Sequence, residues 1–172
     1  MENLRVLGAA LLIVALSLVP AMDAMGANTA DVTVNATPIY LSITVAPTGY
    51  GFGAVAVSSW TNTTTTYFTI TNACSVVTNQ TISVTSATWT GGVSWTHSDT
   101  GSAGSDIVGM IANKGGTWGS GDVIVKNASP VNIATNQAAT TNYSFGLNLK
   151  APTVFSDGVL KNNTVRVTAT QV

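Results

Sequence analysis

The sequence is poor in charged side chains. Beyond residue 26 it contains five aspartates, no glutamate, five basic residues and a single histidine, His97. Most enzymes need paired titratable groups, an activated nucleophile or a metal cage, and so few groups offer little of that chemistry. We therefore expect no enzymatic activity, no metal site and no cofactor. The charged residues are Asp31, Asp99, Asp106, Asp122, Asp157, Lys114, Lys126, Lys150, Lys161 and Arg166.

No catalytic or calcium motif compensates for that scarcity. His97 has no second histidine or glutamate with which to form a zinc site. No serine lies in a nucleophile elbow, so a hydrolase is the least favoured function. Residues 99–106 (DTGSAGSD) carry two carboxylates but lack the alternating oxygen ligands and the distal glutamate of a calcium loop. We expect a solvated turn there.

Cysteine is almost absent. Cys74 is the only one in the chain, so it has no partner for a disulfide within the chain. A buried thiol that behaves as a small apolar side chain is the favoured interpretation. A disulfide between two subunits is the alternative.

The few charges cancel beyond residue 26, where five acidic and five basic side chains remain. Such a balance creates no field that favours nucleic acid or an anionic membrane. Low net charge instead permits close self-association. We expect the partner to be another copy of this chain, with no nucleic acid and, in the mature form, no membrane.

One long apolar run is present, at the N-terminus. Residues 6–19 form this run between a short polar start and Pro20, and small residues come after it. That pattern is typical of a secretory signal peptide and is too short for a membrane span. We expect residues 1–26 to be a signal peptide that is cleaved near Gly26. The mature protein, residues 27–172, would be secreted to the cell surface or the extracellular space.

The rest of the chain alternates apolar and polar residues with a period of two, which predicts strands with one buried face. The apolar residues occupy even positions in residues 31–37 and odd positions in residues 39–45. A one-residue slip turns side chains to the opposite face, so Pro38 marks a bulge or a break. We expect an N-terminal arm, residues 27–37, that pairs separately from the strand after it.

Further strands are predicted along the whole mature chain. The expected ranges are 66–71, 81–85, 87–95 (a hairpin turning at Gly91 and Gly92), 106–112, 122–126, 131–134, 143–149 and 164–170. The apolar residues expected to face inward are Phe68, Ile70, Ile82, Val84, Phe145, Leu147, Leu149, Val165, Val167 and Ala169. About seven to ten short strands with turns between them indicate an all-β fold. We expect one antiparallel β-sandwich domain, of the jelly-roll or immunoglobulin-like type, over residues 27–172.

Two further features concern carbohydrate. Trp89 and Trp95 are in phase with apolar neighbours and are expected in the core, whereas Trp60 and Trp118 lie in turn-like contexts, where a sugar-stacking platform could form. Six Asn-x-Ser/Thr sequons also occur, and they either carry glycans on a secreted surface or simply reflect a chain rich in Asn, Ser and Thr. The candidate glycosylation sites are Asn35, Asn62, Asn79, Asn127, Asn142 and Asn162.

The N-terminal arm has the features of a donor strand. It lies next to the new N-terminus, alternates apolar and polar residues, and is separated by Pro38 from the strand expected over residues 39–45. An extended segment of this kind can complete the open sheet of a neighbouring subunit. The predicted donor residues are Asp31, Val32, Thr33, Val34, Asn35, Ala36 and Thr37.

Three segments carry a family resemblance. Residues 50–55 (YGFGAV), 67–72 (YFTITN) and 82–84 (ISV) place an aromatic-glycine turn before a strand that ends in asparagine, with another strand after it. This layout resembles TasA/camelysin-like secreted β-sandwich proteins and the archaeal bundling pilins. The resemblance implies a jelly-roll-like subunit whose N-terminal strand inserts into the next subunit of an extracellular filament. No HExxH-type metal motif is present, so the peptidase activity attached to the camelysin name is not carried over.

The sequence therefore favours a structural protein. The leading function is the subunit of an extracellular filament or matrix that polymerises by donating its N-terminal strand to a neighbour. The alternative is a monomeric secreted surface or carbohydrate-binding module.

Overall fold

The computed structural model describes residues 32–172, which are all-β, with eleven strands and no helix. The described chain divides into two units, with residues 32–37 in the first and Pro38–Val172 in the second. In the first unit, residues 32–37 have exposed side chains and no regular secondary structure. The expected signal peptide and Asp31 lie outside the described residues.

The second unit contains all the strands. They are β1 (Ile43–Ala46), β2 (Trp60–Asn62), β3 (Phe68–Asn72), β4 (Thr78–Val84), β5 (Thr88–Trp89), β6 (Trp95–Ser98), β7 (Ile107–Asn113), β8 (Val123–Ile124), β9 (Val131–Gln137), β10 (Asn142–Lys150) and β11 (Val165–Gln171).

The strands form two sheets. The larger has eight strands in the order β1-β3-β10-β7-β6-β5, with β2 also beside β10 and β8 beside β7. The smaller has three strands in the order β11-β4-β9. The hydrophobic core draws side chains from both sheets, with Phe68, Val108 and Phe145 from the larger and Ile82 and Ile133 from the smaller.

The predicted inward-facing side chains are placed as expected in the central strands. Phe68, Ile70, Ile82 and Val84 are buried, as are Phe145, Leu147 and Leu149 of β10. In β11 the alternation is also present, since Val165, Val167 and Ala169 are half-buried and Arg166 is exposed. The predicted hairpin is confirmed by the antiparallel pairing of β5 with β6. Gly91 and Gly92 have φ values of 126° and 54° in its turn, a region that favours glycine.

The strand expected over residues 39–45 is shorter than predicted. It begins at Ile43, and Ile39 and Leu41 are 56% and 47% exposed rather than inward-facing. The cause is the length of the partner strand, because β1 pairs with β3 and β3 ends at Asn72. Before Ile43 the chain makes isolated backbone bonds, from the Ala73 amide to the Ser42 carbonyl at 2.9 Å and from Ser75 to Tyr40 at 3.1 Å.

One strand pair departs from the expected antiparallel arrangement. β6 and β7 are parallel, with Thr96 opposite Ile107. Residues 99–106 form a compact return that brings the chain back to the level of Thr96, where the Thr96 amide donates to the Asp106 carbonyl at 2.8 Å. A sequence pattern of period two does not distinguish the direction of the neighbouring strand.

Candidate functional site: an open groove beside an unpaired strand edge

The smaller sheet ends in a strand with a free edge. Within residues 32–172, β11 pairs only with β4. The Thr85 amide donates to the Thr164 carbonyl at 2.8 Å, which sets the alternation of hydrogen-bonded and non-hydrogen-bonded pairs along the two strands. Arg166, Thr168 and Thr170 therefore direct their backbone groups toward β4. The amides and carbonyls of Val165, Val167 and Ala169 point to the free edge.

An apolar groove of about 1010 Å³ opens beside this edge. Val165 and Val167 line it on one side, and Val45 and the turn formed by residues 47–55 line it on the other. Residues 157–163 form the wall that leads into β11.

The floor of the groove is the hydrophobic core. The core residues that line it include Phe68, Met110, Phe145, Leu147 and Leu149. Phe68 and Phe145 stack with their ring centroids 5.1 Å apart. Exposed aromatic side chains continue this stack outward, because Tyr67 meets Phe68 edge-to-face at 5.0 Å and Tyr50 meets Tyr67 at 4.8 Å. The groove thus gives direct access to the space between the two sheets.

Three glycines of the turn that lines the groove have open space beside them. A Cβ atom added at Gly49, Gly51 or Gly53 would meet no other atom within 4 Å. This turn includes residues 50–55, one of the segments that carried the family resemblance. Sequence reasoning placed those residues before a strand but did not predict that they line a groove.

A charged clamp fixes the opposite wall. The Lys161 ammonium group, whose side chain is only 2% exposed, hydrogen-bonds the Asp157 carboxylate and the Gly91 carbonyl. It also lies 5.9 Å from the centre of the Trp95 ring. The hydrogen bond from Lys161, reinforced by the Val93 amide, holds the pKa of Asp157 below its usual range. The clamp ties the β5–β6 turn to the segment before β11.

The sequence did not reveal this clamp. The only signal available was a pair of opposite charges four residues apart, and the same spacing occurs between Asp122 and Lys126. There the aspartate bonds elsewhere, because Asp122 accepts from the Asn113 amide group at 2.6 Å and from the Gly119 backbone at 2.9 Å.

The predicted donor residues that the structure describes, residues 32–37, have exposed side chains. Val32 and Val34 are 83% and 84% exposed, and they belong to the N-terminal unit. Their apolar side chains are therefore available to another molecule.

The candidate glycosylation sites are scattered. Asn35, Asn62, Asn142 and Asn162 are exposed, whereas Asn79 and Asn127 are half-buried. The side-chain oxygen of Asn79 accepts a hydrogen bond from the Asn136 amide at 2.9 Å. Asn162 is the one site of these six that lines the groove.

The aspartates close loops. Both carboxylate oxygens of Asp99 accept backbone amides, from Asn127 at 2.6 Å and from Ala128 at 3.4 Å. Asp106 instead accepts the Ser156 amide at 2.9 Å. The two carboxylates of residues 99–106 thus serve different segments. Within residues 32–172 no three His, Cys, Asp or Glu side chains are grouped so as to hold a metal ion.

His97 is buried and hydrogen-bonded at both ring nitrogens. Its Nε2 lies 2.8 Å from the Val125 carbonyl, and its Nδ1 accepts from the Trp89 indole at 3.5 Å. With Nδ1 as the acceptor, Nε2 is the ring nitrogen that donates to the Val125 carbonyl. The ring has no nitrogen left for a substrate.

Cys74 is fully buried and has no disulfide partner. The Ser42 amide donates to its sulfur at 3.2 Å, which joins the thiol to the segment before β1. The favoured interpretation of a buried thiol agrees with this position.

Two tryptophans are in the core and one is exposed. Trp89 and Trp95 are buried as predicted, and Trp95 stacks on Phe155 at 5.4 Å. Trp60 is exposed, with the Lys150 ammonium group 5.1 Å from its ring centre, and Trp118 is half-buried.

None of the described residues forms a helix long and apolar enough to cross a membrane. The chain matches no protein-family model, no curated protein and no solved structure.

Proposed function

We propose that this protein is the subunit of an extracellular filament or matrix and that it polymerises by strand donation. Under this proposal the two sheets form an incomplete β-sandwich. Residues 31–37 of the N-terminal arm of one subunit lie in the groove of the next subunit and pair with the free edge of β11.

The observation that carries the proposal is the combination of an unpaired edge and an open core. Unpaired strand edges are sites where other chains add strands, and folded proteins usually cover or interrupt them. Here the edge at Val165 and Val167 borders a groove whose floor includes Phe145 and Leu147. An added strand would satisfy the backbone of the edge and cover the apolar floor at the same time.

The arm has the features needed both to pair with the free edge and to cover the apolar floor. Val32, Val34 and Ala36 lie on one face of an extended segment, and Thr33, Asn35 and Thr37 lie on the other. Full burial of a valine side chain contributes roughly 1.5–3 kcal/mol, so the two valines alone make a substantial contribution to binding.

The arrangement also suggests a register. With the arm antiparallel to β11 and Thr37 beside Asn162, Val34 lies opposite Val165 and Val32 opposite Val167. Directly opposite residues in an antiparallel pair share a face of the sheet. The apolar residues of the arm then join the apolar, half-buried residues of β11.

Secretion fits the same model. The apolar N-terminal run and the small residues after it are those of a signal peptide, and its removal near Gly26 would leave the arm close to the new N-terminus. A strand donor must be free at one end in order to enter a groove. Sequons on exposed positions such as Asn62 and Asn142 are compatible with a glycosylated surface.

The alternative function is a monomeric secreted surface or carbohydrate-binding module. The observation that favours it is the exposed Trp60 ring, since an exposed aromatic ring can stack on a sugar. Its indole face is accompanied by Lys150, which also donates to the Ser58 carbonyl at 2.6 Å.

The size of the native protein distinguishes the two functions. We expect purified protein to elute in the void volume of a sizing column and to appear as filaments by negative-stain electron microscopy. Elution as a monomer at every concentration, with no filaments, would favour the module.

A further inference from the structure

The strands of Pro38–Val172 run between two ends of this unit. Asn72 and Thr78 meet at one end, where the Asn72 amide group donates to the Thr78 hydroxyl at 3.2 Å, and β11 finishes there with Gln171 opposite Thr78. At the other end β4 finishes at Val84, opposite the first residue of β11, Val165. We call the first the exit end, because Pro38 and the chain leading to the arm lie there. The second is the groove end.

The exit end carries an exposed apolar surface, the exit patch. Ile39, Tyr40 and Leu41 precede β1, and Tyr40 bonds to the Ser75 amide and hydroxyl, two residues before Val77. The Val172 amide donates to the Val77 carbonyl at 3.2 Å, which adds the Val172 side chain to the same end. All five side chains are exposed, between 43% and 63%.

The groove end carries a second apolar surface, the rim patch. It consists of Val93 at 50%, Val159 at 54% and Leu160 at 76% exposure. The Asp157 carboxylate accepts the amides of Val93 and Val159, which holds the two segments together. Close contact between Gly92 and Val159 fixes the same junction, since a Cβ atom at Gly92 would lie 3.0 Å from the Val159 Cβ.

We infer that the exit patch of one subunit packs on the rim patch of the next. This inference rests on the proposed function, because strand donation brings the two patches together. Only Pro38 separates the arm from Ile39, so an arm that fills the groove leaves no spacer between the bodies. Val159 and Leu160 border the groove at the end where the arm would enter.

A second copy of this chain is the partner that best fits the two patches. The two patches are different surfaces at opposite ends, and contact between them is heterologous. A heterologous contact that does not close into a ring generates an open filament. Neither patch contains a charged side chain, so their packing buries no unpaired charged side chain.

Charge substitution tests this contact. Leu160→Asp and Ile39→Lys, made separately, should each raise the critical concentration for assembly at least about tenfold, because each places one charge in an apolar contact. The double variant Ile39→Lys/Leu160→Asp should recover much of the loss, because opposite charges then face each other between neighbouring subunits. Asn132→Asp, at an exposed position of β9 outside the groove and both patches, is the control and should assemble like the parent. Assembly is measured by pelleting over a concentration series.

The outcomes separate this contact from strand donation. If both single variants assemble at the parent's critical concentration, or the double variant recovers nothing, the patches do not pack on each other. Strand donation would still stand if removal of residues 31–37 blocked filaments in the same assay. If the shortened chain also assembled normally, both proposals would be overturned.

Discussion

Removal of residues 31–37 should give a folded subunit that forms no filaments. The arm belongs to a unit separate from Pro38–Val172, and the strands and the core lie in the latter. Its loss therefore removes the proposed donor without removing any side chain of the core. We expect the circular dichroism spectrum to keep its β signal, while the sizing column shows only monomers and electron microscopy shows no filaments.

Two aspartate substitutions in the arm sharpen this expectation. Val34→Asp should block assembly almost as completely as the deletion, because it would bury a carboxylate against Phe145 and Leu147 without a partner. Such burial costs several kcal/mol. Thr33→Asp places the same charge on the opposite face of the strand and should be tolerated far better. Filament yield by negative-stain microscopy compares the two variants directly.

The possible failures have different meanings. Normal filaments from the shortened chain would end the strand-donation model. Equal losses from the two aspartate variants would leave donation standing but show that the assigned face of the arm is wrong.

Gly146→Ala should strongly destabilise the fold. Gly146 lies in the middle of β10, where a Cβ atom would be 2.4 Å from the Thr64 carbonyl oxygen and 3.0 Å from the Thr63 hydroxyl. Backbone atoms cannot give way as the end of a flexible side chain can. Overpacking of a core typically costs about 1–3 kcal/mol, and we expect a loss at the upper end of that range or beyond.

The crowding at Gly146 has a structural cause. β2 and β3 both pair with β10, one after the other, and residues 63–67 form a bulge between them. Thr63 holds this bulge in place, since its amide donates to the Leu147 carbonyl and its hydroxyl accepts the Leu147 amide, both at 2.9 Å. Alanine at position 146 would force the bulge away from β10 and break these bonds.

Gly49→Ala is the matched control for that substitution. Gly49 has no atom within 4 Å of an added Cβ and no positive φ. Urea unfolding of both variants, in the arm-deleted background so that assembly does not interfere, gives the two changes in free energy. A Gly146→Ala variant as stable as the parent would show that the bulge moves freely.

Local alternation predicted much of the fold. The pattern of β10 places Phe145, Leu147 and Leu149 on one face, and the same period puts Ile82 and Val84 of β4 toward the core. The two glycines after Trp89 predicted a hairpin because a tight turn needs positive φ values. These features depend on neighbours in sequence, and so a single chain reveals them.

Features that depend on distant partners were not predictable. Ile39 and Leu41 alternate as strand residues do, yet they are exposed because β3 ends before it could pair with them. Residues 99–106 return the chain so that β7 runs parallel to β6. The alternation of apolar residues is the same for either strand direction and could not predict this. The groove has the same origin, because it lies where β11 pairs with β4 alone among residues 32–172.

The arm was predictable as a strand candidate, but the acceptor that we propose for it was not. Its alternation and the break at Pro38 are local signals, whereas the free edge of β11 appears only once the pairing of every strand is known. Lys161 illustrates the same limit. Nothing in its sequence context distinguishes a buried clamp from the exposed lysine that is the ordinary expectation.

A covalent link between the arm and the groove tests the central claim most directly. In a Cys74→Ser background, Val34→Cys and Val165→Cys in one chain should form disulfides between subunits under mild oxidation, because the proposed register puts the two residues opposite each other at a distance that a disulfide spans. Strand donation predicts a ladder of covalent polymers on a non-reducing gel. Thr33→Cys with Val165→Cys should give far less. Filaments without any ladder, or monomers closed by a disulfide within one chain, would contradict donation of the arm to a neighbouring subunit.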